Sequence, residues 1–382
     1  TPEGRNNVNS LKLAAEEINA KGGIKVGNVR RPVKIVVADT RDGEPGVPVN
    51  DALMAYEKMI LTEKPHAIIV GAFRSEVLMG IMDLVAKYKI IHLGGIAQTP
   101  LFNERFKQDP EKYKYMFRIT TNSKIVGSYT GKAFELIRKE YGLSRIFLVA
   151  QDTLWARAVS DGVKKICEAS GWTIVGQVFY PLGTNDFSPA LIQARNGKAE
   201  VIHFVYDAPE APIFFKQFKA MKIPALLYSD IAPTGIPKAW KVYGDDLNYV
   251  MGLEFPAGIT MPISKLPKSV HFTSQYLKKF GEPETARVIG SGYDGLYIFA
   301  NAVERAGTLD PDKLVRAIEE TNIDGISGRI RISKEDHNLI FDEDPKKGYI
   351  CNVFQWQNGK RVPVYPPVIA EGKIILPPWM KR

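Results

Sequence analysis

Ser75 stands where a loop gives way to a helix, in the stretch Ala67–Pro100, AIIVGAFRSEVLMGIMDLVAKYKIIHLGGIAQTP. A hydroxyl beside backbone N–H groups that lack an intrahelical acceptor suits a carboxylate or another anion, although an ordinary structural crossover uses the same pattern. Asp230, in LYSDIAP, ends a strand-like run and offers the opposite charge, either to hold an ammonium or to cap the segment that follows. Catalytic patterns are weaker. Gly290-Ser291-Gly292-Tyr293-Asp294-Gly295 spells GxGxxG, but a dinucleotide site needs a buried strand just before it, and Glu282–Arg287 is charged and contains Pro283. Close helix packing is the better account of those glycines. The run Gly127–Lys132 misses the P-loop by one residue, and neither GxSxG nor HExxH occurs. Cys167 and Cys351 fit no zinc spacing and the five histidines are dispersed, so no metal and no cofactor is expected. Nothing here argues for an enzyme.

The elements that must position these residues read as α/β. Ala67–Val70 is an apolar run ended by Gly71, and Val77, Leu78, Ile81, Leu84 and Val85 fall on one helical face. The run Lys89–Leu93 stops at Gly94-Gly95. A parallel strand–helix–strand unit leaves both loops at the carboxyl edge of its sheet, where open α/β sheets bind ligands. Upstream, Val8, Leu11, Ala15 and Ile18 make a helical stripe closed by Gly22-Gly23, a strand is predicted at Val33–Ala38, and a helix around Leu53–Ile60. A doubly wound lobe normally has a central strand before its first helix, and no such strand is visible here. After a polar span and the short strand Met116–Ile119, a second βα series runs from helix Ile125–Tyr141 to strand Ala225–Tyr228. Tyr249–Phe255 then crosses back to helices at Ser269–Phe280, Ser291–Ala306 and Pro311–Thr321.

This pattern predicts two doubly wound, Rossmann-like lobes joined by a multi-strand hinge, with a ligand in the cleft between facing carboxyl edges. The boundaries are 1–121 plus 252–330 for the N-terminal lobe, 122–251 plus 331–356 for the C-terminal lobe, and 357–382 for a Pro-rich tail. A length of 382 residues allows two such cores. The net charge of +9 comes from Lys and Arg scattered along the chain, without the basic stripe or interleaved aromatics of a nucleic-acid binder. No run of about 18 apolar residues would span a membrane, and the polar opening TPEGRNNVNS shows no signal peptide.

Several segments, in order and over nearly the whole chain, resemble the type I periplasmic solute-binding proteins of the branched-chain amino acid (Leu/Ile/Val-binding) ABC transporter family. They are SLKLAAEEINAKGGI at Ser10–Ile24, the Ala67–Pro100 stretch, VAQDTLWARAVSDGVKK, Thr184–Ser188, and Gly325–Ile330 followed by Val353–Trp356. The resemblance implies a periplasmic or otherwise extracytoplasmic monomer that closes two lobes on an amino acid or related small carboxylate. It would then deliver that solute to a membrane permease. By the same resemblance, the hydroxyl and N–H of Ser75 take the ligand carboxylate, with the backbone of Ile96 and Ala97 and the side chain of Gln98 completing the cradle beside Phe73 and Arg74. Asp230 takes the ammonium, and Trp155 and Tyr206 wall the side-chain pocket or pack in the core. The sequence departs from the family at Gln98, where a hydroxyl residue is usual, and at Arg74, where a small or neutral one is. Arg74 either pairs with a second carboxylate, which would mean an acidic or aromatic acid ligand, or points to solvent. A ligand-sensing domain of a signalling system is the alternative on the same fold.

Overall fold

The computed structural model describes residues 1–44, 46–236, 238–255, 262–283 and 288–380. The chain divides into two compact units: unit 1 holds Thr1–Asn122 and Phe255–Ile350, and unit 2 holds Ser123–Glu254 and Cys351–Arg382. Among the described residues, no helix is long and apolar enough to cross a membrane.

Unit 1 is built on a three-stranded parallel sheet, in the order Ala67–Val70, Ile91–Gly94, Met116–Arg118. The Ser75–Tyr88 helix joins the first two strands and buries Val77, Leu78, Ile81, Met82 and Val85, a spacing that keeps one face on the core. It ends at Lys89, whose left-handed φ of 51° turns the chain into the next strand. The Pro2–Ala20 and Ser291–Ala306 helices cross closely because Gly292 stands at the contact: a Cβ there would lie 2.4 Å from the Asn7 carbonyl oxygen. Asn7 Oδ1 accepts the Gly292 N–H at 3.1 Å. Gly295 likewise lets the helix approach Ile69 and Ile119, each 2.7 Å from an added Cβ. The GxGxxG run is thus packing surface in the described residues; 284–287, part of the run before it, lie outside them.

Unit 2 carries a seven-stranded sheet in the order Lys360–Tyr365, Asn352–Gln357, Met251–Glu254, Leu226–Ser229, Val201–Val205, Arg145–Gln151, Thr173–Tyr180. The last five are mutually parallel, so their carboxyl ends share one edge, and the first two are antiparallel additions. Continuous burial along Val201–Val205 and Leu226–Ser229 is what strands covered on both faces require.

Three expectations are corrected. Val33–Ala38 forms no strand, and Val36 and Val37 are 41% and 54% exposed. The reason is the lack of a partner: among the described residues Ala67–Val70 pairs only with Ile91–Gly94. A cavity of about 760 Å³ is lined by residues 31–44 on one side and 67–71 on another. Asn19 exchanges two side-chain hydrogen bonds with the Val33 backbone, and Val33 and Ile35 pack against the core of the unit. Second, residues 331–350 belong to unit 1, where His337 accepts the Arg118 N–H and Leu339 donates to the Arg118 carbonyl. Third, 357–382 is no free tail. Lys360–Tyr365 is the edge strand, Ile375 exchanges hydrogen bonds with Gln355, and Trp379 Nε1 donates to the Ile223 carbonyl. Lys381 and Arg382 lie outside the described residues.

Candidate ligand-binding site

In unit 1 the predicted residues fall on two neighbouring loops at the carboxyl edge of the sheet. The first, Gly71–Arg74, begins under strain: Val70 has a φ of +85°, a conformation a β-branched residue rarely adopts, and Gly71 follows at +70°. Asp42 clamps this loop, its Oδ2 accepting the N–H groups of Phe73 at 2.8 Å and Arg74 at 3.2 Å. Ser75 is the first residue of its helix, half-buried, and no side chain from Arg74 caps the helix end. The first-turn amides are therefore turned toward the loop without intrahelical acceptors. Arg74 follows neither expected course. Its guanidinium is half-buried and donates to the Val47 carbonyl at 2.7 Å, which ties one loop to another.

The second loop starts at Gly95, whose N–H donates to the Val70 carbonyl at 2.7 Å and so links the two loops. A Cβ at Gly95 would lie 2.7 Å from Ser291 Cβ, so the close approach requires glycine. Ile96 and Ala97 are buried and Gln98 is half-buried. The far end is held by Arg118, which donates to the Thr99 carbonyl at 2.7 Å and to Asn103 Oδ1 at 2.6 Å. Below both loops lies His92, fully buried, with neither ring nitrogen hydrogen-bonded; burial pulls its pKa down to about 4. The imidazole is therefore neutral near pH 7.

In unit 2, Asp230 follows the Leu226–Ser229 strand at the carboxyl edge, and Trp155 is half-buried near the start of the Leu154–Ala169 helix, which follows Arg145–Gln151, two strands away across Val201–Val205. Asp230 is buried. Its Oδ2 lies 2.9 Å from His203 Nε2 and accepts the Thr130 hydroxyl at 3.1 Å. Tyr206 packs in the core of unit 2. It is fully buried, its hydroxyl donates to the Pro181 carbonyl at 2.8 Å, and its ring meets Phe187 edge-on and Phe204 in a stack. Of the two readings open for this residue, core packing is the one its contacts support.

A family model described as periplasmic binding protein matches residues 2–359. The chain belongs to the periplasmic binding protein family. Relatives of this periplasmic binding protein include the Leu/Ile/Val-binding protein homolog 7 of Brucella abortus, 22% identical over 98% of this chain and 90% of that protein. Similar solved structures include one described as a branched-chain amino acid ABC transporter protein from Silicibacter pomeroyi (TM-score 0.86, 18% identity, 99% and 96% of the two chains). Another is an ABC transporter substrate-binding protein from Desulfitobacterium hafniense in complex with Leu (TM-score 0.72, 17% identity, 94% and 95%). The fold is that of type I periplasmic binding proteins, a family of extracytoplasmic binding proteins rather than enzymes.

For this periplasmic binding protein, sequence reasoning missed four residues that hold the site residues in place: Asp42, Arg118, His203 and Thr130. Asp42 sits 31 positions before the Phe73 amide it accepts from, and Thr130 sits 100 before Asp230. No local spacing could have joined them. Arg118 could have been singled out as a charge inside the otherwise apolar run Met116–Ile119.

Proposed function

We propose that this periplasmic binding protein captures a free amino acid with a small apolar side chain, or a related small carboxylate, for delivery to the permease of an ABC importer. The observation that carries the reading is the unit 1 cradle. There, an uncapped helix start at Ser75 and the Ile96–Gln98 loop are joined through the Gly95–Val70 hydrogen bond. A carboxylate needs several donors at one place, and an ammonium needs an acidic group elsewhere. Asp230, at the carboxyl edge of unit 2, is the proposed ammonium partner, and the two units would close on a ligand that each holds by one end. The tie from Arg74 to the Val47 carbonyl favours a ligand without a second carboxylate. The names of the Brucella proteins and the leucine in the Desulfitobacterium complex support a branched-chain amino acid as the first choice to test.

A thermal-shift screen with leucine, isoleucine, valine, phenylalanine, glutamate and benzoate tests the proposal. Stabilisation by at least one apolar amino acid is expected, weakened at least about tenfold in affinity by Ser75→Ala through the loss of a donor to a charged group. Stabilisation by glutamate alone would overturn the substrate class, stabilisation by benzoate alone would overturn the amino acid and the ammonium role of Asp230, and no stabilisation by any of the six would overturn the reading.

A further inference from the structure

Arg118 is 2% exposed, and no carboxylate lies within ion-pair distance of it among the described residues. Its two terminal nitrogens go to neutral oxygens, the Thr99 carbonyl and Asn103 Oδ1. Its Nε has no partner, and the guanidinium lies 4.6 Å from the centre of the Phe102 ring. The acid that acts on it through space is Asp336, whose own carboxylate oxygens are taken up by Asn338. Burial lowers the pKa of the guanidinium to about 9, which leaves it charged near neutral pH. A neutral side chain could hold a carbonyl and an amide oxygen without the desolvation cost of a buried, unneutralised cation. The charge therefore calls for a use, and the loop that Arg118 grips at Thr99 is the one that carries Ile96, Ala97 and Gln98.

We propose that Arg118 is the positioning residue that makes the Gly95–Pro100 loop selective for an anionic ligand group. It fixes the far end of the loop, as the Gly95–Val70 hydrogen bond fixes the near end, and it sets a buried positive charge, offset in part through space by Asp336, 2.7 Å from the loop's Thr99 carbonyl. A carboxylate held by the loop amides then meets a field that a neutral carboxamide does not benefit from, because a low-dielectric surround screens the charge weakly. This role rests on the proposed function, since it assumes that the ligand carboxylate lies in the unit 1 cradle.

The test compares L-leucine with L-leucinamide, which keeps the side chain and the ammonium and lacks the carboxylate. Affinities are measured calorimetrically on the full chain and on Arg118→Gln and Arg118→Lys. Arg118→Gln should cut the preference for leucine over leucinamide about tenfold, equivalent to about 1.4 kcal/mol. Arg118→Lys, which keeps the charge and loses the fork, should stay within about threefold of the parent preference. A merely structural role would weaken both ligands alike and leave their ratio unchanged. An unchanged ratio in folded Arg118→Gln overturns the proposal, as does a loss in folded Arg118→Lys; if the Gln variant does not fold, Arg118→Met, which also removes the charge at similar length, takes its place and is read the same way. If the parent chain is stabilised by another amino acid of the screen, that amino acid and its amide replace leucine. If it is stabilised by none, the proposed function falls first and this role with it, whereas parent binding with an unaltered ratio removes this role alone.

Discussion

Acid should destabilise unit 1 through His92. The imidazole is fully buried, neither nitrogen is hydrogen-bonded, and it is wedged beneath the first loop, with its Nε2 2.4 Å from where a Gly71 Cβ would stand. Burial lowers its pKa from 6.5 to about 4. Between those values the unfolded chain binds a proton that the folded chain refuses. Stability is therefore fully present above about pH 6.5 and is lost as pH falls toward 4. From these two values the loss at pH 4.5, relative to pH 7.5, is about 2 to 3 kcal/mol. His92→Gln removes the titration while keeping a polar side chain, so the difference between parent and variant isolates this group from every other carboxylate and histidine. The five tryptophans, at 155, 172, 240, 356 and 379, all lie in unit 2, so tryptophan fluorescence would report on the wrong unit. Urea unfolding at the two pH values should be followed instead by hydrogen exchange of peptides from residues 67–118. The parent should lose about 2 to 3 kcal/mol more than His92→Gln on acidification. Equal losses in the two proteins would show that the imidazole titrates normally, and the reasoning from burial would be wrong.

Gly71→Ala places a Cβ against the His92 ring and forces a φ of +70° on a non-glycine residue, so a loss of at least about 2 kcal/mol is expected in the same unfolding assay. Asp230→Ala removes the acceptor of Thr130 and the hydrogen-bond partner of His203, leaving two buried polar groups without it, and should cost about 2 to 4 kcal/mol of stability, read by the thermal midpoint. The ammonium role is therefore better tested with Asp230→Asn, which keeps an acceptor: leucine affinity should fall at least about tenfold while the fold persists. Tyr206→Phe should cost about 1 kcal/mol, from the lost hydrogen bond to Pro181, and leave ligand affinity unchanged by calorimetry; a clear drop in affinity would return Tyr206 to the pocket.

Much of the fold was legible because its signals are local. The apolar face of Ser75–Tyr88 and the runs at Ile91–Gly94, Val201–Val205 and Leu226–Ser229 stand in the sequence as they stand in the sheets. Val33–Ala38 shows where local reading stops, since a β-branched run becomes a strand only when another strand is beside it. The same limit explains Tyr206, whose aromatic character suits a pocket wall and a core equally until its partners Pro181, Phe187 and Phe204 are known. Within the candidate site, Ser75 and the Gly94-Gly95 turn could be recognised by type and place. The residues that hold them rigid could not, because Asp42, Arg118 and His203 act across 31, 19 and 27 positions of chain.

The open side of the Ala67–Val70 strand has a consequence for handling this protein. Among the described residues this strand has a sheet partner on one edge only, its other edge lies beside a cavity of about 760 Å³, and the run Val33–Ala38 lines that cavity outside any sheet. Such an edge recruits whatever extended chain is at hand, including that of another copy. Refolding of the unit that carries the proposed anion cradle should therefore depend on protein concentration. Solubility and the proposed ligand cradle meet within a few residues of Gly71.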